Sequence, residues 1–330
     1  MTGPGPLTWV VGSGGLLGKQ VAAALDGRCP VLVAPPVPWG DRASTQDVLR
    51  ATARRLAAEA GDGGWQVLWC AGAGVTGTSR DVLRVELEAL ASLLDALRGV
   101  GSSGGSFFFS SSVGGVYAGS PRPPYDERSP VRPLSDYGRA KLRGEELVDS
   151  WARQGGGRAL IGRIANLYGP GQNLDKPQGL VSQICAAHLR RSPVSIWVSL
   201  DTLRDYIYVA DAARLILDGM DRLRADASVG SSNGAVVKIL GSLRPVTVGA
   251  VLGELRRVLK ARPNVTLAAS PVSAAQARDL STRSVVWPDL DARAMTPFPA
   301  GVHATLSDLR SRQARASTDL HRPTAGGSAS

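Results

Sequence analysis

The chain has 330 residues, is 43% hydrophobic and carries a formal net charge of +10, enough to bury a large core in one large or two modest domains. No apolar run is long enough to cross a bilayer, and Met1–Pro6 has neither the basic region nor the apolar stretch of a secretory signal; a membrane partner is excluded and a cytoplasmic setting expected. The arginines are spread along the whole length, with no dense basic run interleaved with aromatics, which excludes nucleic acid as the partner and leaves a basic surface suited to an anionic nucleotide.

Leu7–Val11 is a short apolar run that ends in glycines and reads as a buried strand. It leads directly into Gly12-Ser-Gly-Gly15-Leu-Leu-Gly18, which opens a helix over Leu16–Leu25. In this GxxGxxG pattern the first glycine permits the tight turn and the second lets a pyrophosphate approach the backbone. The third lets the helix pack closely on the strand, with the helix N-terminus towards the phosphates. Gly12, Gly15, Leu16, Leu17 and Gly18 are therefore candidate cofactor residues. Pro30–Ala34 reads as a second buried strand, stopped by Pro35, Pro36 and Pro38. The acid expected at its end, to bind an adenosine ribose, is missing: Val33-Ala34-Pro35-Pro36 stands there. Asp41 suits the ribose of NAD and Arg42 a 2′-phosphate, or both are solvated loop charges.

Ser44–Ala60 reads as a helix, with Ser44 or Thr45 as N-cap and Gly61 as stop. Gln66–Ala71 follows as a strand, Ser79–Leu97 as a long amphipathic helix, Ser106–Ser110 as a strand, Ser135–Gln154 as a helix and Ala159–Ile164 as a strand. This alternation implies βαβ units and an α/β fold: a doubly wound, Rossmann-type parallel sheet covered on both faces. Beyond Tyr168 the pattern loosens into helices over Leu180–Arg190, Asp211–Leu223 and Val248–Leu259, and strands over Val194–Trp197 and Val265–Ala268. Arg224–Gly234 reads as a polar loop. The expected organisation is a flexible stretch 1–6, a dinucleotide-binding domain 7–170 to which 200–220 and 236–240 return, a smaller C-terminal α/β substrate-binding domain over 171–315, and a disordered tail 316–330. Cys29, Cys70 and Cys185 lie far apart without zinc-ligand spacing and read as small buried hydrophobes in a reducing compartment. No metal site is expected.

Tyr137 and Lys141 stand four apart at the start of a helix, so phenol and ammonium share one face. A neighbouring ammonium stabilises phenolate, which lets the phenol give or take a proton while a hydride moves to or from a nicotinamide. The serine cluster Ser110-Ser111-Ser112 precedes the pair at the end of a strand, where open α/β sheets bind ligands. A hydroxyl there can hydrogen-bond the same substrate oxygen.

With these features the chain resembles the extended short-chain dehydrogenase/reductases, in particular the NAD-dependent epimerase/dehydratase family that acts on nucleotide sugars. The resemblance runs from Leu7 to about Leu217, and more loosely to Leu309. Beyond the glycine loop it is carried by Phe108-Phe109-Ser110-Ser111-Ser112 with Val116-Tyr117, by Pro133-Leu-Ser-Asp-Tyr137-Gly-Arg-Ala-Lys141 with Glu145, by Arg163-Ile-Ala-Asn166-Leu-Tyr-Gly-Pro-Gly171, and by Arg204-Asp-Tyr-Ile-Tyr-Val-Ala-Asp211. The resemblance implies Tyr137 as acid/base, Lys141 as its tuner and the holder of the nicotinamide ribose, and Ser112 as assistant, with Ser111 as second choice. It implies NAD or NADP as cofactor, NAD being favoured, lined by Ala71, Gly72, Ala73, Ser110 and Ile164. It also implies a nucleoside-diphosphate sugar as partner, held by Ser112, Asn166, Arg204 and Arg283. Arginine suits that role through its fixed fork of donors; the competing reading of Arg204 is a salt bridge to Asp205 or Asp211. Family members often dimerise through two long helices, which here are Ser79–Leu97 and Ser135–Gln154, although their apolar faces could equally pack only on the sheet.

Three departures narrow the chemistry. The ribose-binding acid is absent. The helix Ser44–Ala60 runs almost straight into the strand at Val67, leaving little room for the family's short third strand. Ser112 is followed by Val113-Gly114-Gly115, where the family's 4,6-dehydratases carry an acid pair. The expected activity is thus epimerisation or 4-ketoreduction at a sugar carbon. The alternatives are an oxidoreductase of the same fold on a non-nucleotide ketone or alcohol, a dehydratase, or a non-catalytic nucleotide-binding module.

Overall fold

A computed structural model describes residues 5–72, 74–75, 77–100, 105–176, 178–226, 233–268 and 277–320. In chain order the elements are β1 (Leu7–Val11), α1 (Leu16–Ala24), α2 (Arg42–Glu59), β2 (Trp65–Trp69), α3 (Arg80–Gly99), β3 (Gly105–Ser112), α4 (Val113–Tyr117), α5 (Asp136–Trp151), β4 (Arg158–Ile164), β5 (Asn166–Tyr168) and α6 (Leu180–Arg190). They continue as β6 (Val194–Ile196), β7 (Leu203–Arg204), β8 (Tyr206–Tyr208), α7 (Val209–Ala225), β9 (Val236–Leu240), β10 (Val246–Thr247), α8 (Val248–Leu259), β11 (Val265–Leu267), β12 (Asp279–Leu280) and α9 (Phe298–Leu320).

The central sheet runs β1-β2-β3-β4-β9, all parallel. Its strands read as unbroken apolar runs because both faces are covered. One face packs against α2, α3 and α5 through Leu49, Leu56, Leu90, Leu93, Val148 and Trp151. The other packs against α1 and α7 through Leu17, Val21, Ala212, Ile216 and Met220. A separate apolar core unites α6, α8 and α9 with Ile196 and Tyr206. No helix of the described residues is long and apolar enough to cross a membrane.

The segment expected to form a second strand does so only marginally. Thr8 bridges Val31, and Leu32 N donates to the Thr8 carbonyl at 2.8 Å. Then Pro35, Pro36 and Pro38 follow, which lack the N–H that a ladder needs. No strand occurs between Leu32 and Trp65 among the described residues, so the family's third strand is missing. The chain therefore reverses its winding direction at β1, with Val31 on one side and β2 on the other, and the crevice at the carboxyl end of β1 is the switch point where such sheets bind ligands. The tail expected to be disordered from Ala316 is helical as far as Leu320, because α9 buries Val302, Leu306 and Leu309 and continues past them; residues 321–330 lie outside the described residues.

The sheet holds α5 by an unusual device. Arg163 projects from β4 and Glu145 from α5, both buried, and the guanidinium donates to Glu145 Oε1 at 3.0 Å and Oε2 at 2.6 Å. Ser111 Oγ donates to Glu145 at 2.5 Å, and Arg163 reaches the Tyr117 hydroxyl, which itself donates to the Asp126 carbonyl at 2.7 Å. Burial opposes the Arg163 charge, but the Glu145 hydrogen bonds and charge hold its pKa above the ordinary value. Removing one partner strands the other charge inside the protein. Arg163→Met should therefore lower the unfolding free energy by about 3–5 kcal/mol, and the double replacement Arg163→Met with Glu145→Leu by distinctly less; denaturant titration of the three proteins measures both.

Candidate functional site

The glycine loop joins β1 to α1. Gly12 has φ +86°, and a Cβ there would lie 2.6 Å from the backbone of Ala71; a Cβ on Gly18 would lie 2.1 Å from the Gly12 carbonyl oxygen. Only glycine allows this closeness of turn, helix and β2 exit loop. Gly15 caps α1 without a side-chain hydrogen bond, and Ser13, Gly14 and Gly15 are exposed, so the open end of α1 offers the N–H groups that a helix leaves without intrahelical partners. This cradle fits a pyrophosphate. Leu16 is half-buried and lies beside Gly171, while Leu17 belongs to the core under α1, so each offers the site its backbone. Ala71 and Gly72 form the opposite wall; Ala73 lies outside the described residues.

At the adenosine end neither charge proposed for the ribose is free. Asp41 caps α2 by accepting from Ser44 N at 2.9 Å, which lowers its pKa, and Arg42 pairs with Glu88 of α3 at 3.0 Å. Trp39 packs edge-on against Trp69, the last residue of β2, with ring centroids 6.0 Å apart.

At the other end of the crevice α5 begins at Ser135, whose hydroxyl accepts from Gly138 N. One turn in, Tyr137 and Lys141 are both half-buried. Lys141 Nζ donates to the Ser110 carbonyl at 3.1 Å and stands 5.8 Å from the centre of the Tyr137 ring. Ser112 closes the triangle. A Cβ on Gly115 would lie 3.2 Å from Ser112 Cβ and 3.3 Å from Tyr137 Cε1, so hydroxyl and phenol flank the same point. Ser112 Oγ accepts from Gly115 N at 3.1 Å, which leaves its own O–H to donate outward. Ser111, the second choice, is committed to Glu145. Ile164 ends β4 in register with Ser112.

Arg204 and Asn166 lie on the short paired strands beyond the sheet. Arg204 pairs in register with Leu280, which packs on α4 beside Val113 and Val116. Asn166 pairs in register with Tyr206. Burial raises the Tyr206 pKa, and the Arg204 charge and the Asn166 amide oppose that rise. Arg204 is buried yet, among the described residues, donates only to the neighbouring Leu203 carbonyl, at 2.8 Å. Its two expected carboxylates are taken. Asp205 accepts from Ser242, Leu243 and Thr282, and Asp211 from Thr296 and Arg214. Burial lowers the Arg204 pKa, and among the described residues no acid lies within ion-pair distance. Arg283 is different: it is 64% exposed and held by Asp126 at 2.7 Å.

The residues Tyr117, Arg163 and Glu86 escaped the functional reading of the sequence. Glu145 was visible as a helix glutamate, but its partner in β4 was not, because strand arginines are ordinarily read as surface. Glu86 faces the loop at Gly72 from α3.

A parallel doubly wound sheet with an open glycine cradle at its switch point defines a dinucleotide-binding α/β protein. Residues 9–231 match the NAD-dependent epimerase/dehydratase family, and the chain belongs to that family, enzymes of the extended short-chain dehydrogenase/reductase type that depend on NAD(P). It is 31% identical over 132 residues to a putative UDP-glucose 4-epimerase of Methanocaldococcus jannaschii, covering 40% of this chain and 43% of that protein. It is also 31% identical over 113 residues to a dTDP-4-dehydro-6-deoxyglucose reductase of Escherichia coli, covering 34% and 35%; the matched stretch thus spans less than half of either relative. Whole-chain likeness of fold extends further. A UDP-glucose 4-epimerase from Thermotoga maritima solved with UDP-glucose superposes with a TM-score of 0.77 at 21% identity, covering 93% of this chain and 99% of that one. RMD from Pseudomonas aeruginosa complexed with NADPH gives 0.71 at 22% identity, with 93% and 99% covered.

An unpaired buried charge costs folding energy that a ligand can offset. Arg204→Met should raise the unfolding free energy of the ligand-free protein by about 1 kcal/mol or more, read by chemical denaturation.

Proposed function

We propose that the chain transfers a hydride at a sugar carbon of a nucleoside-diphosphate sugar, as an epimerase or a 4-ketoreductase, with Tyr137 as acid/base. The observation that carries this reading is the pairing of two features: a Tyr137–Lys141–Ser112 triangle beside the glycine cradle, and a buried Arg204 with no acidic partner beyond it. The first handles a proton on an oxygen; the second supplies a fixed fork of donors to an anion.

The cradle of Gly12, Gly15 and Gly18 fits the cofactor's pyrophosphate, and Lys141 with the Ser110 carbonyl suits its nicotinamide ribose. A nicotinamide held there would supply the acceptor and donor of the hydride exchanged at the sugar carbon. The chain's residues do the rest. Ser112 donates to the sugar oxygen and orients it. Tyr137 accepts the hydroxyl proton as the carbon is oxidised and gives it back as the ketone is reduced, so the proton leaves and returns on the sugar oxygen while the hydride leaves and returns on the carbon that bears it. Lys141 stabilises the phenolate that each cycle requires. Asn166 and Arg204 hold the diphosphate, which anchors the nucleotide while the keto-sugar turns its other face to the hydride donor. No carboxylate follows Ser112 in Val113-Gly114-Gly115, which favours redox chemistry over loss of water.

Tyr137→Phe should lower turnover of UDP- or dTDP-sugars about 10²–10⁴-fold with an unchanged unfolding midpoint; a smaller effect removes Tyr137 from the chemistry. A recycling epimerase converts substrate without net consumption of added NAD(P)H, whereas a reductase consumes it mole for mole with a keto-sugar. Uridine diphosphate or thymidine diphosphate should raise the thermal midpoint of the native chain and not that of Arg204→Met. Equal shifts in both proteins, or none in either, would turn the reading towards a non-nucleotide substrate.

A further inference from the structure

Along α3 the buried leucines Leu83, Leu90, Leu93 and Leu97 follow an alternating three-and-four spacing. The position that completes this stripe between Leu83 and Leu90 is occupied by Glu86. A carboxylate in the apolar stripe of a sheet-packed helix is costly unless something polar faces it. What faces it is the loop that follows β2. A Cβ on Gly72 would stand 2.8 Å from Glu86 Oε1 and 3.4 Å from Lys141 Nζ. A Cβ on Gly74 would stand 3.3 Å from Glu86 Oε2 and 3.2 Å from Tyr137 Cδ2. The two carboxylate oxygens therefore straddle the loop, one towards the ammonium and the other towards the phenol ring. They do not seize the ammonium, which donates to the Ser110 carbonyl instead.

We propose that Glu86 is a positioning residue of the Tyr137–Lys141 site, a carboxylate across the Gly72 loop that keeps the ammonium seated at Ser110 and offsets part of its field at the phenol. This rests on Tyr137 being the acid/base, as argued above. The other charges around the pair are neutralised. Asp136 on α5 is held by Arg80 and Arg139. Glu145 behind Lys141 is paired with Arg163. Glu88 on α3 is paired with Arg42 and Arg84. Cys70 on the loop itself is a neutral thiol, pushed up to about 12 by burial against the opposing effect of Lys141. Among the described residues, Glu86 is the acid facing this loop that has no ion-pair partner of its own.

The consequence is chemical. A phenol that must both accept and return a proton serves poorly if its ammonium neighbour acts without a counterweight, because the phenolate then becomes a weak base. A carboxylate on the far side of the loop opposes the ammonium's field at the phenol and attracts the ammonium itself. Charges at such separations in a half-buried site shift a titration by about one pH unit.

The test is a site-resolved titration of the free chain by carbon NMR of tyrosine labelled at the phenol carbon, with Tyr137→Phe assigning the resonance by its disappearance. Glu86→Gln should move the Tyr137 midpoint down by about one pH unit, and Glu86→Ala should do the same, while Glu88→Gln leaves it in place. Trace acylation of the Lys141 amine, followed by mass spectrometry, gives a second reading in the neutral range: Glu86→Gln should raise its labelling rate severalfold by freeing more unprotonated amine. An unmoved or raised Tyr137 midpoint, or an unmoved Lys141 labelling rate, overturns the proposal. Neither measurement uses substrate or cofactor, so failure here is separable from failure of the catalytic reading, which the turnover of Tyr137→Phe decides.

Discussion

The site depends on a charge pair that a hydrophobic core would ordinarily reject. Arg163 inside the sheet and Glu145 inside its covering helix would each be prohibitively costly alone, and together they tolerate little displacement because their bonds are short and directional. A helix held only by leucines can slide or roll by a fraction of a turn at small cost, but α5 cannot. Tyr137, Lys141 and Glu145 follow one another at intervals of four and so share one face. The face that presents phenol and ammonium to the crevice is the face that Glu145 bolts to β4. Ser111 donates to that same carboxylate, and Lys141 donates to the Ser110 carbonyl one residue away. The strand end that supplies Ser112 is thus stitched to the helix that supplies Tyr137, and the spacing of the proposed catalytic groups is inherited from a buried structural pair.

Much of this was legible from the residues. The strand–glycine–helix entry, the alternation that made the parallel sheet, and the four ordered segments around Ser112, Tyr137, Asn166 and Arg204 all appear where the sequence pattern puts them. What was not legible has physical causes. The second strand shrank to a bridge at Val31, because pairing with β1 ends at Leu32, and an apolar run does not reveal where such pairing stops. The strands β5, β7, β8, β10 and β12 are two or three residues long, too short for any periodicity to emerge. The helix α9 was hidden by Pro297, Pro299 and Gly301 at its start, although proline is tolerated in a first turn and Val302, Leu306 and Leu309 mark its buried stripe. The roles of Glu145 and Arg163 depend on contact between residues 18 apart in sequence, and a single strand arginine carries no sign of its partner.

The adenosine end shows how a fold can lose parts and keep its winding. Without a third strand, α2 leads straight towards β2, and the loop from Val33 to Asp41 runs along the sheet edge. Asp41 then serves as a helix cap and Arg42 as a link between α2 and α3. The ends of the cofactor crevice therefore differ in character. The nicotinamide end is dense with hydrogen bonds and fixed charges, whereas the adenosine end is bordered by prolines and the half-exposed Trp39. An aromatic face and an open edge hold a ring by contact area, which is less directional than a carboxylate gripping two ribose hydroxyls. Under the proposed function, orientation of the cofactor would come mainly from the glycine cradle and from Lys141.

Three departures from the ordinary rules of folding lie along that crevice. Helix α1 leaves its first N–H groups uncapped, α3 carries a glutamate in its leucine stripe, and Arg204 is buried without an acid. Each is a local cost that contacts among the described residues offset only in part. Natural sequences keep such costs where a ligand or a reaction offsets them. The buried pair of Arg163 and Glu145 is the contrasting case, since it is charged, buried and fully satisfied, and it acts on position alone. Satisfaction of polar groups thus separates the scaffold from the site more sharply than burial does: both hold buried charges, but in the scaffold the partners are already present, and at the site the open donors of α1 and Arg204 all suit one kind of missing partner, an anion.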